Sequence, residues 1–238
     1  MGHDWWIFAT ICAAIAAWLL LRLRRETREE ARPAATFVAK REMTVLFTDL
    51  TGYVPLSEKL NDPKILSNLI DDHRAAMVPI IRKHRGVIGH FAGDRIMCFF
   101  GAPYTDPDHA AHAVAAARAM QQTHQQSREA ANDHLRDRGL AGLDLRIGIS
   151  TGELIVGYLG PPLNYTVIGE EVTRASRLET ACKSTTANIL ISPRTAELVR
   201  YLYDLRKIPL PRDAGAGATA YEVLAPLPQD SRLAMVCV

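Results

Sequence analysis

Val45-Leu46-Phe47-Thr48-Asp49-Leu50-Thr51-Gly52-Tyr53 is a β-rich run that breaks at a glycine turn, with an acid where the strand ends. Gly89-His90-Phe91-Ala92-Gly93-Asp94-Arg95 repeats the pattern of strand, turn and acid. A single aspartate at such a place reads as a turn former or a helix cap. Two of them, Asp49 and Asp94, brought together from separate strand ends can hold a pair of divalent cations. Such a pair about 3.5–4 Å apart clamps both the attacking and the leaving oxygen of an in-line phosphoryl displacement. The N–H groups of Thr51, Gly52 and Tyr53, where the next helix is expected to begin, are suited to cradle phosphate oxygens.

Outward from these acids, β and α patterns alternate. Met43 to Asp49 is a strand, and Pro55 to Arg85 a helix interrupted near Asn61-Asp62-Pro63, with an apolar stripe through Ile65, Leu69, Met77 and Ile81. Gly86–Phe91 and Arg95–Phe100 read as a hairpin, and His109 to about Arg138 as a second helix. Leu143–Ser150 and Glu153–Leu159 read as two strands separated by Thr151-Gly152, followed by a strand at Asn164–Ile168 and a helix from Glu170 to Cys182. A short strand at Asn188–Ile191, a helix near Arg194–Leu202 and strands near Asp204–Leu210 and Ala218–Leu224 close the chain. The order β-α-β-β-α-β with added C-terminal elements predicts a ferredoxin-like α+β sheet.

The N-terminus differs. Trp5 to Leu21 is an apolar run of 17 residues, at the lower limit for a membrane-spanning helix, with tryptophans near both ends. Arg22, Arg24 and Arg25 follow, and no Lys or Arg precedes, so the positive-inside bias predicts a single-pass cell-membrane anchor with the N-terminus outside and the remainder cytoplasmic. The expected organisation is an anchor at 1–21, a charged linker helix at 22–40, a catalytic domain at 41–225 and a tail at 226–238.

Composition excludes some classes. The 238 residues are 48% hydrophobic, 23% charged and carry a formal charge of +2, so no extended nucleic-acid surface is implied. The four cysteines lie far apart without zinc-ligand spacing, as packed, reduced thiols would.

Four motifs stand in order: Val-Leu-Phe-Thr-Asp-Leu-Thr-Gly-Tyr from 45, Gly-Asp-Arg-Ile-Met-Cys-Phe-Phe-Gly-Ala-Pro from 93, Leu-Arg-Ile-Gly-Ile-Ser-Thr-Gly-Glu from 145, and Tyr-Thr-Val-Ile-Gly-Glu-Glu-Val-Thr-Arg-Ala-Ser-Arg-Leu-Glu from 165. Together they resemble the class III adenylyl and guanylyl cyclases, over residues 41–225. The resemblance implies that Asp49 and Asp94, helped by the Leu50 carbonyl, hold two divalent cations, Mg²⁺ or Mn²⁺. It implies that Arg177 stabilises charge on the α-phosphate in the transition state and that Arg212 stands where a lysine meets the terminal phosphates. His90 occupies the position of a base-reading lysine and Thr166 that of its partner. Thr173 replaces an asparagine that orients the ribose. The threonine hydroxyl of Thr166 can accept from adenine or donate to guanine, so by itself it admits either base. The missing guanine-type acceptor at His90 favours ATP. The family's active site is shared between two head-to-tail domains, so a homodimer acting on ATP is expected. A guanylate cyclase, or a catalytically weak domain acting as a regulatory or heterodimer partner, is the alternative.

Overall fold

The computed structural model describes residues 38–52, 62–136, 143–159, 164–186, 188–210 and 219–228. The expected anchor and nearly all of the linker lie outside these residues, as do Tyr53, Arg212 and most of the tail. Among the described residues no helix is long and apolar enough to cross a membrane.

The elements are β1 (Val38–Thr51), α1 (Pro63–Lys83), β2 (Val87–Ala92), β3 (Arg95–Phe100), α2 (His109–Arg136), β4 (Asp144–Leu159), β5 (Asn164–Ile168), α3 (Glu170–Ala181), β6 (Ile189–Ile191), α4 (Pro193–Val199), β7 (Tyr203–Pro209) and β8 (Thr219–Pro226). A 3₁₀ turn, Cys182–Ser184, follows α3. One mixed sheet runs β2-β3-β1-β4-β6-β8-β7, with β5 paired to β4. β1 lies antiparallel between β3 and β4, as the predicted ferredoxin-like core requires.

Alternation along β1 sorts its side chains by face. Leu46 and Leu50 join a core built with Met77 and Ile81 of α1, Ala113 and Val114 of α2, and Val199 of α4. Met43, Val45 and Phe47 turn the other way and pack with Leu154, Val156 and Val167, under Val172 and Ala175 of α3. Asp49 is the next residue on this second face. α1 starts where Asp62 accepts from the N–H groups of Lys64 and Ile65 at 2.9 and 3.3 Å, with Pro63 at its first position. Cys98 and Cys182 are free and buried, and burial pushes both thiols up, Cys182 to about 12.

Three expectations need correction. β1 begins at Val38, inside the stretch assigned to the linker, because Val38–Arg41 pair with Leu154–Gly157. The two strands expected at 143–150 and 153–159 are one strand, since Thr151 and Gly152 stay in register with Thr44 and Met43. Gly152 therefore makes no turn. A Cβ there would stand 2.8 Å from Cγ of Glu171, so its smallness admits α3 to the sheet. Gly148 is tighter still, with the same Cβ 2.2 Å from the Ala175 carbonyl oxygen and the Glu179 nitrogen. Finally, the last long helix stops at Ala181, and the helix near 194–202 spans Pro193–Val199.

Candidate active site

The β1–β4 register sets Asp49 directly opposite Arg146, on the face that α3 covers. Nη2 of Arg146 donates to Oδ2 of Asp49 at 2.7 Å. From β3, Nε of Arg95 stands 3.8 Å from Oδ1 of Asp49. A carboxylate thus sits between guanidinium groups from the two neighbouring strands. Above this row α3 lowers Glu179, whose side chain is wholly buried. Its approach is possible only because Gly148 carries no side chain. Glu179 accepts from Nη2 of Arg95 at 2.8 Å, and its Oε1 lies 3.4 Å from Nε of Arg146. Burial and the charge of Asp49 raise the Glu179 pKa, opposed by the two arginines.

Asp94 arrives from the β2–β3 turn. Gly93 takes φ +61°, a left-handed value that glycine adopts without strain. Arg74 of α1 pins this turn by donating to the Gly93 carbonyl at 2.6 Å while its guanidinium lies 4.9 Å from the Phe91 ring centre. Oδ2 of Asp94 accepts from the Leu50 N–H at 3.2 Å, which brings the acid against the end of β1. Burial first, and then the nearby charge of Asp49, push the Asp94 pKa up. The two acids, Leu50, Thr51, Gly52, Asp144, Arg146 and Lys183 line one open cavity of about 450 Å³.

These residues fit a divalent cation. The burial and the Asp49 charge that raise the Asp94 pKa would be offset by a cation between the two carboxylates, and hard oxygen donors suit Mg²⁺ or Mn²⁺. Among the described residues no group of three or more His, Cys, Asp or Glu side chains is arranged as a metal cluster, so the remaining ligands would be backbone, solvent or substrate oxygens.

The other expected residues are elsewhere. Thr166 on β5 faces Gly157 of β4, eleven residues from Arg146, or about 36 Å along the strand at ~3.3 Å per residue. Thr173 and Arg177 are exposed at i and i+4 on α3, whereas Ala175, Leu178 and Glu179 turn toward the sheet. His90 is exposed on the edge strand β2 and does not line the cavity. One chain therefore brings together the acids of the expected site, while His90, Thr166, Thr173 and Arg177 do not line their cavity.

Arg146, Arg95 and Glu179 were absent from the expected set. Arg146 carried a visible signal, since an arginine inside the apolar strand Leu145-Arg146-Ile147-Gly148-Ile149 needs a buried acid as partner. Glu179 carried a weaker one. It falls on the i, i+3, i+4, i+7 stripe Ala175-Leu178-Glu179-Cys182, which otherwise reads as core.

The family model for the adenylate and guanylate cyclase catalytic domain matches residues 37–210. Adenylate cyclase 1 of Rhizobium meliloti (strain 1021) is 32% identical over 155 residues, 64% of this chain and 23% of that protein. The crystal structure of the adenylyl cyclase CyaB from P. aeruginosa superposes with a TM-score of 0.69 at 32% identity, covering 81% of this chain and 98% of that one. The guanylyl cyclase Cya2 superposes with a TM-score of 0.68 at 29% identity, covering 80% of this chain and 95% of that one. Matched segments span 23% and 31% of the lengths of two curated relatives.

Proposed function

We propose, from the fact that this chain belongs to the adenylate and guanylate cyclase catalytic-domain family, that it is an adenylate cyclase working as a homodimer. In the reaction the 3′-oxygen of ATP bonds to its own α-phosphorus, the bond from that phosphorus to the β-phosphate bridging oxygen breaks, and pyrophosphate leaves. The 3′-hydroxyl proton passes to solvent. The observation that carries this reading is the convergence of Asp49 and Asp94 on one cavity, each supplied by the motif expected to supply it.

Asp49, Asp94 and the Leu50 carbonyl would hold two divalent cations, which when bound supply Lewis acidity at the 3′-hydroxyl and charge neutralisation at the triphosphate. Thr51 and Gly52 border the cavity where phosphate oxygens would rest, and Tyr53 and Arg212 are proposed to extend that contact. Arg146 and Lys183 add positive charge on the same wall. Thr166 and His90 would read the base, Thr173 would contact the ribose and Arg177 the α-phosphate, all from a second copy.

Two features support the second copy. The exposed outer face of α3 presents Thr173 and Arg177 away from the chain's own acids. On the sheet, Val38, Ile155 and Ile168 form an apolar patch 42–55% exposed around the Thr166–Gly157 pair, on the same face by register. Apolar area of this kind, next to a half-site, suits burial against a copy. The apolar run at residues 5–21 is proposed to tether the domain to the cytoplasmic face of the cell membrane, where confinement in one plane raises the effective concentration of copies.

Assay of the purified chain with ATP and with GTP in Mn²⁺ tests the reading. Formation of cyclic AMP and pyrophosphate, faster than cyclic GMP, is the expected result. A clear GTP preference would favour the guanylate alternative, to which the likeness to Cya2 lends support. No cyclic product from either nucleotide defeats both.

A further inference from the structure

Asp49, Arg146, Glu179 and Arg95 form a closed ring of alternating charge. Its four contacts are Arg146 to Asp49 at 2.7 Å, Arg146 to Glu179 at 3.4 Å, Arg95 to Glu179 at 2.8 Å and Arg95 to Asp49 at 3.8 Å. In this arrangement the acid best placed for a cation is already neutralised by two guanidinium groups. A dication at Asp49 would stand beside both of them, and like charges at a few ångströms in a half-buried site repel strongly. Cation binding therefore requires the arginines to shift their weight to another acceptor.

The ring contains one. Glu179 is wholly buried, and its Oε1 has no hydrogen-bond partner among the described residues. Facing it, Nε and Nη1 of Arg146 are also buried and have none. An unsatisfied buried charged group is costly, so donors and an acceptor left open toward each other favour a second arrangement in which they meet. Gly148 holds α3 close enough for that exchange.

We propose that Glu179 is a positioning residue that takes over the guanidinium groups of Arg146 and Arg95, freeing Asp49 for a divalent cation. This rests on the cation site under the proposed function. Glu179 touches neither nucleotide nor metal. Its carboxylate keeps the ring acidic enough to accept a dication, and it holds Arg146 on the cavity wall when Asp49 lets go.

The test is calorimetric titration of the full chain with Mn²⁺ alone, without nucleotide, so that it reads binding and not turnover. Glu179→Gln should weaken Mn²⁺ about tenfold or more while thermal unfolding stays cooperative. Glu179→Gln combined with Arg95→Gln should recover most of the affinity, because one competing cation leaves with the lost acid. A packing role for Glu179 predicts the reverse, the double variant being no better than the single one. Arg95→Gln alone should tighten Mn²⁺ several-fold, and it serves if Glu179→Gln does not fold. Unchanged affinity in Glu179→Gln, no recovery in the double variant, or weaker binding in Arg95→Gln overturns the proposal. Each of these leaves the cyclase reading intact if the wild type binds Mn²⁺ and forms cyclic AMP. A wild type that does neither overturns both.

Discussion

At the Asp49 end of the β1–β4 ribbon, acids and arginines from β1, β3, β4 and α3 neutralise one another inside the chain. At the Thr166 end, eleven residues along β4, the ribbon carries exposed Val38, Ile155 and Ile168, while α3, packed on Gly148 through Ala175 and Glu179, shows Thr173 and Arg177 to solvent. The first end is complete as a binding site for charge. The second is an exposed apolar surface that, on the proposed function, would face a second copy. One strand of 16 residues, β4, runs through both ends. The difference teaches how the proposed homodimer would divide its work, with charge gathered inside one chain and apolar surface left for a copy.

The comparison breaks most visibly in a mixing experiment. Asp49→Ala and Arg177→Ala should each lose about a thousandfold or more in cyclic AMP formation. After subunit exchange the mixture should recover about a quarter of wild-type activity, since half the dimers are hybrids with one intact site of two. No recovery while both variants dimerise would mean that each chain builds its whole site alone. Next in size, Ile155→Glu with Ile168→Glu places charge on the exposed patch. Sedimentation should show the dimer weakened by about a hundredfold, with activity lost in parallel. An unchanged dimer would move the interface elsewhere.

The inner end can be probed through pH. Burial, helped by the charges of His124 and Arg74, lowers the His73 pKa on α1 from 6.5 to about 4. Unfolded His73 binds a proton near pH 6.5 and the folded form only near 4, so between these values the unfolded state holds more protons. Stability must then fall as pH drops through that window, by about 2 kcal/mol between pH 7 and 5. Urea unfolding checks this, and His73→Gln should remove that share of the slope. The smallest effect concerns the residues proposed to meet the base and the ribose. His90→Lys with Thr173→Asn should raise the rate about tenfold, the worth of one or two better-made polar contacts. A rate that falls instead would show that His90 and Thr173 are already matched to their substrate.

Much of this is legible in the sequence. The four motifs and the β-α-β-β-α-β order led to the right core sheet, and the strand-end rule picked out both acids. Thr151-Gly152 misled, because a glycine after a polar β-branched residue reads as a turn when only neighbours are considered. Its use is to admit α3, a contact with Glu171 some twenty residues away. The role of Arg146 is hidden for a similar reason. Its partner Asp49 lies nearly a hundred residues earlier, and only the strand register sets them face to face.

The amino-acid order alone determined the order of strands and helices and the family, since these follow from local periodicity and from short motifs whose residue types the chemistry demands. Only the tertiary structure decided that Asp49 rests between two arginines under Glu179, and that Thr166 and Arg177 turn away from it. Those facts depend on register and on the close approach of a helix to a glycine. Both are long-range agreements between surfaces, and no window of neighbouring residues contains them.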